Sequence, residues 1–212
     1  MKLDVRGSLF CLTLITAIVP ALQGCVPVVA AGAATGAMMA ADRRSSGAYV
    51  EDEGLEWKVG NRIKQRFGEA AHVNVTAFNR VVLLTGEIAD DAGLTALDQI
   101  AAGVPNVRGV TNEVQVAGAS SLTSRGNDAV VTSKVKARFV DDNTFSANHV
   151  KVVTEAGTVF LMGLVTRDEA DRATEIARTT SGVRKVVRVF EYITAEEARS
   201  LQLQSRQNDS KS

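Results

Sequence analysis

The chain has 212 residues, and its 24 basic and 24 acidic side chains cancel to a formal charge of zero. A chain without a basic excess gives no reason to expect a nucleic acid as partner. Aromatic residues make up only 5% of the sequence, so we expect small cores built from Val, Leu, Ile and Ala.

The amino terminus, residues 1–24, has the composition of a secretory signal peptide. Lys2 and Arg6 precede an apolar run, residues 9–21, that is too short for a stable transmembrane helix. The signal leads into LQGC, which resembles the lipobox of bacterial lipoproteins. This resemblance implies that Cys25 carries diacylglycerol on its thiol and a further acyl chain, such as palmitate, on its amine. A chance cysteine after an ordinary signal peptide is the alternative.

Cys25 is the only cysteine that remains once the signal is removed, because Cys11 lies inside it. A disulfide within the mature chain is therefore excluded. Three acyl chains attach a protein stably to a membrane. Among lipoproteins of bacteria with two membranes, Asp directly after the lipidated cysteine favours the inner membrane. Here Val26 occupies that position, so we expect an outer-membrane anchor facing the periplasm, with residues 25–53 as lipidated cysteine and tether.

Two stretches of the chain repeat each other without a gap, 77 positions apart. Residues 72–88, HVNVTAFNRVVLLTGEI, correspond to residues 149–165, HVKVVTEAGTVFLMGLV. Apolar and other residues alternate in both, as in half-buried strands, and a polar break divides each stretch. Asn79 and Arg80 in the first break, and Gly157 in the second, predict the turns of two β-hairpins, with Gly157 at a positive φ.

Helical patterns and a final apolar run flank each hairpin. A helix over residues 59–67 precedes the first hairpin and one over residues 131–139 precedes the second. Each copy therefore has the order helix, strand, strand, helix, strand. A module of about 65 residues buries only about 60% of its unfolded surface, so we expect the modules to pack on each other or on a partner. The predicted boundaries are 54–117 for the first module, 118–126 for a linker, 127–193 for the second module and 194–212 for a C-terminal tail.

Polar residues mark the expected helix starts. Asp90 and Asp91 lie where the second helix should begin, favoured by the helix macrodipole. The predicted N-caps are Asn127 or Asp128 before the third helix, Thr166 with Glu169 before the fourth, and Thr194 with Glu197 before a short terminal helix and a disordered tail. Trp57, the only tryptophan, is expected to pack between the modules or on its own helix rather than to bind a ligand. Gly86 and Gly163, late in their strands, are expected to allow a bulge or a close approach between a helix and the strand.

The sequence contains no pattern typical of catalysis. Neither a nucleotide-binding loop nor a nucleophile elbow occurs. His72 and His149 occupy the same position of the repeat without a cysteine partner, which makes a poor metal site. We therefore expect no enzymatic activity, no cofactor and no bound metal.

The repeat, the lipobox and the strand motif together resemble the BON-domain family, in particular its two-module lipoproteins. The resembling segments are LQGC, DRRSSGAYVEDE, NVTA at residues 74–77, GNDAVVTSKVK, and GTVFLMGLVT at residues 157–166. The resemblance implies an α+β fold of two tandem αββαβ modules, each a three-stranded mixed sheet packed against two helices. It also implies phospholipid binding and maintenance of envelope integrity, without catalysis.

In such two-module proteins the second module contacts anionic phospholipid through its helical side, which agrees with the distribution of charge. Residues 51–118 carry a net charge of −4 and residues 127–193 one of +1, so only the second module favours an anionic surface. Val130 stands where an aromatic residue is expected in this subfamily, which argues against deep insertion. The candidate phospholipid-binding residues are Lys134, Lys136, Arg138, Arg172 and Arg178, although such charges are also typical of a solvated helix face.

An interaction scaffold is the alternative function. Trp57 and the acidic first module would then bind an envelope protein, such as the outer-membrane assembly machinery or a regulator of cell-wall hydrolases. This alternative predicts that reversing the charges of Lys134 and Arg138 removes lipid binding and leaves function intact.

Overall fold

The computed structural model describes residues 42–118 and 120–209. The predicted signal peptide, Cys25 and the tether as far as Ala41 therefore lie outside the described residues. All described residues belong to one compact unit, Ala40–Ser212, which contains both copies of the repeat.

The first copy forms a small mixed sheet with two helices. Its elements are α1 (Ser46–Phe67), β1 (Ala71–Phe78), β2 (Val81–Ile88), α2 (Asp91–Ala102), β3 (Gly109–Asn112) and β4 (Gln115–Val116). β1 is antiparallel to β2, and β2 is parallel to β3 and β4. The last strand is interrupted after Asn112, whose side-chain oxygen accepts a hydrogen bond from the Val114 amide at 3.1 Å. β3 and β4 therefore follow one path along β2.

The second copy repeats this arrangement with an unbroken last strand. Its elements are α3 (Leu122–Asp141), β5 (Val150–Glu155), β6 (Thr158–Val165), α4 (Arg167–Arg178) and β7 (Lys185–Tyr192), followed by a further helix, α5 (Ala195–Asp209). β5 is antiparallel to β6, and β6 is parallel to β7. The observed fold confirms the predicted α+β class and the two tandem αββαβ modules.

Most of the predicted helix caps are present. The confirmed caps are Thr166 with Glu169 and Thr194 with Glu197. α2 begins at Asp91, where the sequence predicts a helix start, and Asp90 is its N-cap. α5 is longer than the short helix predicted, because it includes residues 204–209 of the segment interpreted as a disordered tail.

Two helices begin earlier than the sequence predicts. α1 begins at Ser46, inside the segment interpreted as tether, and the Ser45 hydroxyl accepts a hydrogen bond from the Ala48 amide at 3.1 Å. α3 begins at Leu122, inside the segment interpreted as linker, and its N-cap is Ser121. The prediction of Asn127 or Asp128 as the cap of α3 is wrong, because both residues lie within the helix.

Both hairpins turn through two residues with left-handed backbone. The φ angles are 49° at Asn79, 65° at Arg80, 47° at Ala156 and 72° at Gly157. Two successive residues of this kind form a type I′ turn, whose twist matches that of the flanking strands. The predicted positive φ of Gly157 is confirmed, and the other three positions adopt it without glycine.

A buried aspartate from the preceding helix binds each turn. Asp52 of α1 accepts hydrogen bonds from both turn amides of the first hairpin, each at 2.7 Å. Asp128 of α3 accepts hydrogen bonds from both turn amides of the second, at 2.9 and 2.8 Å. Hydrogen bonds to a charged acceptor are about twice as strong as neutral ones, so they offset the cost of left-handed residues other than glycine. Asp128 therefore stabilises the hairpin turn and does not cap its helix.

Gly86 and Gly163 lie at equivalent positions of β2 and β6, where the neighbouring strand comes unusually close. A β-carbon at Gly86 would lie 2.0 Å from the carbonyl oxygen of His72, and one at Gly163 would lie 2.3 Å from that of His149. Neither contact is sterically possible, so only glycine fits without a shift of the strand. In both copies the close approach is to the backbone at the start of the neighbouring strand, not to a helix as predicted.

Each module has its own apolar core between its helices and one face of its sheet. The first core includes Leu55, Val59, Ile63, Val82, Leu84 and Leu97. The second includes Val131, Val135, Phe139, Val159, Leu161 and Ile176. The helical residues of both cores recur every four positions, as the sequence predicts.

A third apolar cluster joins the other faces of the two sheets. Phe78 and Leu83 of the first module contact Phe160, Met162 and Leu164 of the second. The modules therefore pack on each other, as expected from their size, in the layer order helix, sheet, sheet, helix. β6 is buried on both faces, which explains its continuous apolar sequence and corrects the expectation of a half-buried strand.

Candidate membrane-binding face of the second module

The outer side of α3 exposes large apolar side chains. Val131, Val135 and Phe139 face the core, whereas Leu122, Val130 and Val140 are 82%, 52% and 70% exposed. At about 100° per residue, Leu122 and Val140 share one angular position and Val130 lies about 80° away. We call these three residues the apolar stripe; it extends along most of a helix about 30 Å long.

Two of the predicted basic residues flank the apolar stripe. Lys136 lies about 40° to one side of Leu122 and Val140, and Lys134 lies about 40° beyond Val130 on the other side. Lys134 Nζ is 3.3 Å from the Ser181 hydroxyl, on an exposed part of the surface. Within residues 42–118 and 120–209, Lys136 forms no ion pair. α3 is therefore amphipathic, with an exposed apolar centre and a lysine on each flank.

Arg138 has a structural role at the end of α4. Its Nη1 donates hydrogen bonds to the Ile176 carbonyl at 2.7 Å and to the hydroxyls of Thr179 and Thr180 at 3.0 and 2.8 Å. A cation at a helix C-terminus binds the unpaired carbonyl groups there and complements the helix dipole. Arg138 thus joins α3 to α4, which leaves less of its charge for a ligand.

Arg172 and Arg178 of α4 are both paired with carboxylates. Arg172 Nη2 lies 2.6 Å from Asp142, and Arg178 Nη2 lies 2.8 Å from Glu175. Hydrogen bonds from Thr144, together with Arg172, lower the pKa of Asp142 to about 2. Both arginine side chains are exposed, at 51% and 66%, and surface pairs of this kind contribute little to stability. The structure therefore places the five predicted residues in the helical layer of the second module. The arginines are engaged with carboxylates or backbone carbonyls, and mainly the lysines are not.

Leu122 and Val140 were missed by the sequence reasoning. Leu122 lies in the segment interpreted as linker, and Val140 follows the last core residue of the predicted helix. A helical wheel drawn from residue 122 to residue 140 would have placed both on the side away from the core, because 18 positions correspond to five full turns.

The corresponding helix of the first module, α1, also exposes apolar side chains. Trp57 is 71% exposed and Val50 is 66% exposed. The prediction that Trp57 packs on the protein is wrong, because it lies two positions from both Leu55 and Val59, which face the core; two positions correspond to about 200° of helix. In the observed layer order, Trp57 is on the opposite side of the molecule from the apolar stripe.

Each of the two histidines has a buried ring nitrogen. His149 is buried, and its Nδ1 lies 3.5 Å from Glu169 Oε1. In the part of the chain that the structure describes, no group of His, Cys, Asp and Glu side chains has the arrangement of a metal site. Among the same residues, no helix combines the length and the apolar character needed to cross a membrane.

Two αββαβ modules packed through their sheets define a protein of two BON domains. The BON domain family matches residues 51–118 and 127–194, and the chain belongs to this family. It is similar to Outer membrane lipoprotein DolP of Haemophilus influenzae, with 37% identity over 174 residues that cover 81% of this chain and 90% of that protein. The chain is thus a DolP-like member of the family, and this similarity supports an outer membrane lipoprotein built from BON domains.

Other known proteins resemble this chain at lower identity. The 21 kDa hemolysin of Actinobacillus pleuropneumoniae is 34% identical over 154 residues, which cover 72% of this chain and 79% of that protein. Osmotically-inducible protein Y of Escherichia coli is 29% identical over 144 residues, which cover 66% and 72%. A solved structure of CdsD, a structural protein of the type III secretion system of Chlamydia trachomatis, aligns with a TM-score of 0.28 at 13% identity, over 71% of this chain and 98% of that one.

Proposed function

We propose that this protein is anchored through Cys25 to the periplasmic side of the outer membrane and that its second module binds anionic phospholipid in support of envelope integrity. The observation that carries the proposal is the apolar stripe of α3 with Lys134 and Lys136 on its flanks. A helix of this character lies in the plane of a membrane interface with its apolar side toward the acyl chains. No catalytic activity is proposed.

Burial of the stripe contributes more than charge in this proposal. Full burial of one large aliphatic side chain contributes about 1.5–3 kcal/mol, whereas a lysine near an anionic surface contributes about 1 kcal/mol. Arg138, Arg172 and Arg178 are already engaged with protein groups, so they add less than the lysines. The lipid anchor makes even weak contacts effective, since it keeps the module at high local concentration.

The path of the chain before α1 also supports an orientation with the second module toward the membrane. Arg43, which follows the tether, donates a hydrogen bond to the Leu164 carbonyl at 2.8 Å and pairs with Glu169 at the start of α4. The segment that leads from the proposed anchor into α1 therefore contacts the second module, although α1 itself belongs to the first module.

Flotation with liposomes tests the proposal. The fragment comprising residues 42–212, which lacks the lipid anchor, is mixed with vesicles with and without phosphatidylglycerol, at low and high salt. We expect stronger flotation with phosphatidylglycerol than without it and weaker binding at high salt, because salt screens the lysines while the apolar stripe still contributes. Absence of binding to either vesicle would refute the proposal.

Matched serine substitutions separate the stripe from general surface effects. Val140→Ser removes a 70% exposed valine from α3, and Val50→Ser removes a 66% exposed valine from α1. Val140→Ser should weaken flotation several-fold and Val50→Ser should leave it unchanged. Equal behaviour of the two variants would exclude the stripe as the contact.

A protein scaffold is the second candidate, and the exposure of Trp57 favours it. Trp57 and Val50 form an apolar surface on the acidic module, and aromatic residues of this kind are enriched in protein interfaces. Since this surface and the stripe lie on opposite sides of the molecule, one protein can use both. Trp57→Ala should leave flotation unchanged and reduce resistance of the cells to large antibiotics or detergent. A Trp57→Ala strain as resistant as wild type would exclude this surface as a working one.

A further inference from the structure

One end of the sheet-to-sheet interface is held by ion pairs. The pairs that connect the modules are Arg108–Glu191, Lys151–Glu56 and, from the segment leading into α1, Arg43–Glu169. Glu191 lies opposite Leu164 in the pairing of β7 with β6, so two of these pairs lie near the last residues of β6. We call this region, defined by Arg43, Arg108, Glu169 and Glu191, the paired end.

The other end of the interface contains carboxylates that form no ion pair among the described residues. Glu87, Asp128 and Glu155 are only 7%, 7% and 9% exposed, and none of them forms an ion pair within residues 42–118 and 120–209. We call these three residues the acidic end. Glu155 is opposite Thr158 at the start of β6, six residues from Leu164, so the two ends are about 20 Å apart.

Among the described residues, one side-chain hydrogen bond joins the two sheets at the acidic end, and Glu87 Oε2 also accepts a hydrogen bond at 3.2 Å from the Ser120 amide, in the segment that leads into α3. Asn74 Nδ2 of β1 donates to Glu155 Oε2 of β5 at 2.8 Å. Thr85 lies opposite Asn74 in the sheet, and its hydroxyl is buried without a hydrogen-bond partner. Beside this contact, a cleft of about 420 Å³ separates β1 from α3 and β5. The acidic end is therefore the less firmly closed end of the interface.

The charges around Glu155 oppose its ionisation. Burial raises the pKa of the Glu155 carboxyl, and the charges of Glu87 and Asp128 raise it further, while the Asn74 hydrogen bond and His72 lower it. The charged and titratable groups that line the cavities on either side of Glu155 are His72, Glu87, Glu113, Arg125, Asp128 and Lys185, and Arg184 binds the carbonyl of the next residue.

We propose that the junction between the two modules is an acid-closed hinge, held shut at the paired end and free to open at the acidic end when Glu155 is ionised beside Glu87. Protonation of Glu155 removes this repulsion and favours the closed arrangement, in which Asn74 contacts Glu155. The proposal does not depend on membrane binding and concerns the arrangement of the modules alone.

The direction of the pH dependence follows from the environment of Glu155. An acid whose pKa is raised in the closed state binds its proton more tightly there than in the open state. The closed state is therefore stabilised at low pH, and this stabilisation is lost as the pH rises through the raised pKa. The transition should lie above the ordinary glutamate value of about 4.3.

Distance measurement between two spin labels tests the hinge. The fragment of residues 42–212 contains no cysteine, so labels can be placed at Ala70→Cys beside β1 and Ser133→Cys on α3, across the cleft. We expect a long, broad distance distribution at about pH 8 and a shorter, narrow one at about pH 5, with a midpoint above the ordinary glutamate value. A distribution that is the same at both pH values would overturn the proposal.

Two variants and a second label pair make the result specific. Glu155→Gln should give the short, narrow distribution at both pH values, and Glu87→Gln should lower the midpoint because it removes one of the charges that raise it. If Glu155→Gln follows the wild-type pH dependence, Glu155 is not the switch and the proposal fails. Labels at Val50→Cys and Asp168→Cys, near the paired end, should not move; an equal change there would indicate general loosening and would also overturn the hinge.

Discussion

Arg43 and Glu169 form a bidentate ion pair, with Nη1 2.7 Å from Oε2 and Nη2 2.8 Å from Oε1. The Arg43 side chain is only 4% exposed. The next residue, Arg44, instead pairs with Asp52 of the first module at 2.6 Å. These two consecutive arginines therefore bind different modules, and they connect both modules to the segment that precedes α1.

Removal of Arg43 should destabilise the protein strongly. Arg43→Ala leaves the half-buried Glu169 without its arginine, and a fully buried pair broken in this way costs about 3–5 kcal/mol, which is the upper bound here. Urea unfolding of the 42–212 fragment measures the change in free energy. Arg178→Ala, which breaks an exposed pair on α4, is the matched control and should cost less than about 1 kcal/mol. Equal losses in the two variants would show that the Arg43 pair does not hold the modules.

Glu169 should make stability depend on pH in the acidic range. Although burial raises its pKa, the neighbouring His149 and Arg43 and the Thr166 amide hold it well below the ordinary glutamate value. The contribution of Glu169 is therefore present above the unfolded pKa of about 4.3 and is lost as the pH falls below it.

Glu169→Gln tests this dependence. The variant should be less stable than wild type at neutral pH, and the difference should shrink as the pH approaches about 3. Urea midpoints measured across this range give the comparison. A difference that stays constant with pH would contradict the assignment. The expected trend is opposite in sign to that of Glu155, so the two carboxylates can be told apart.

Asp128 should be required for the second hairpin rather than for the start of α3. Asp128→Ala leaves the amides of Ala156 and Gly157 without their acceptor, and each buried unpaired group costs about 1–3 kcal/mol. Amide exchange at these two positions should accelerate together with the loss of stability. Asn127→Ala, one position away and exposed, should change neither; a similar effect there would support a capping role after all.

Substitution of Gly163 should have the opposite effect to substitution of Gly126. A β-carbon at Gly163 would meet the His149 backbone, whereas one at Gly126 of α3 meets nothing within 4 Å. Gly126→Ala should stabilise the protein by about 0.5–1 kcal/mol, since alanine favours a helix. Gly163→Ala should lower the unfolding temperature, because the strand must shift. A stable Gly163→Ala protein would mean that β5 and β6 can separate at little cost.

Local features were predictable because their causes lie within a few residues. The repeat revealed the two hairpins, Thr166 and Glu169 are three residues apart in their capping box, and Gly86 and Gly163 stand at one position of the repeat. Such patterns reflect backbone geometry, and both copies obey them. The helix starts at Ser46 and Leu122 were missed because their upstream turns expose most of their side chains and so lack an apolar period.

The amino-acid sequence by itself determined the class of the fold, the two modules and their turns, since hydrophobic period and turn chemistry act over short distances. Only the tertiary structure decided the partners of Arg43, the exposure of Trp57 and the burial of Glu155. Each depends on groups that are distant in sequence: Arg43 binds a residue 126 positions away, and Asn74 reaches Glu155 over 81. These contacts arise when two sheets pack face to face, and no local pattern specifies which residues then meet.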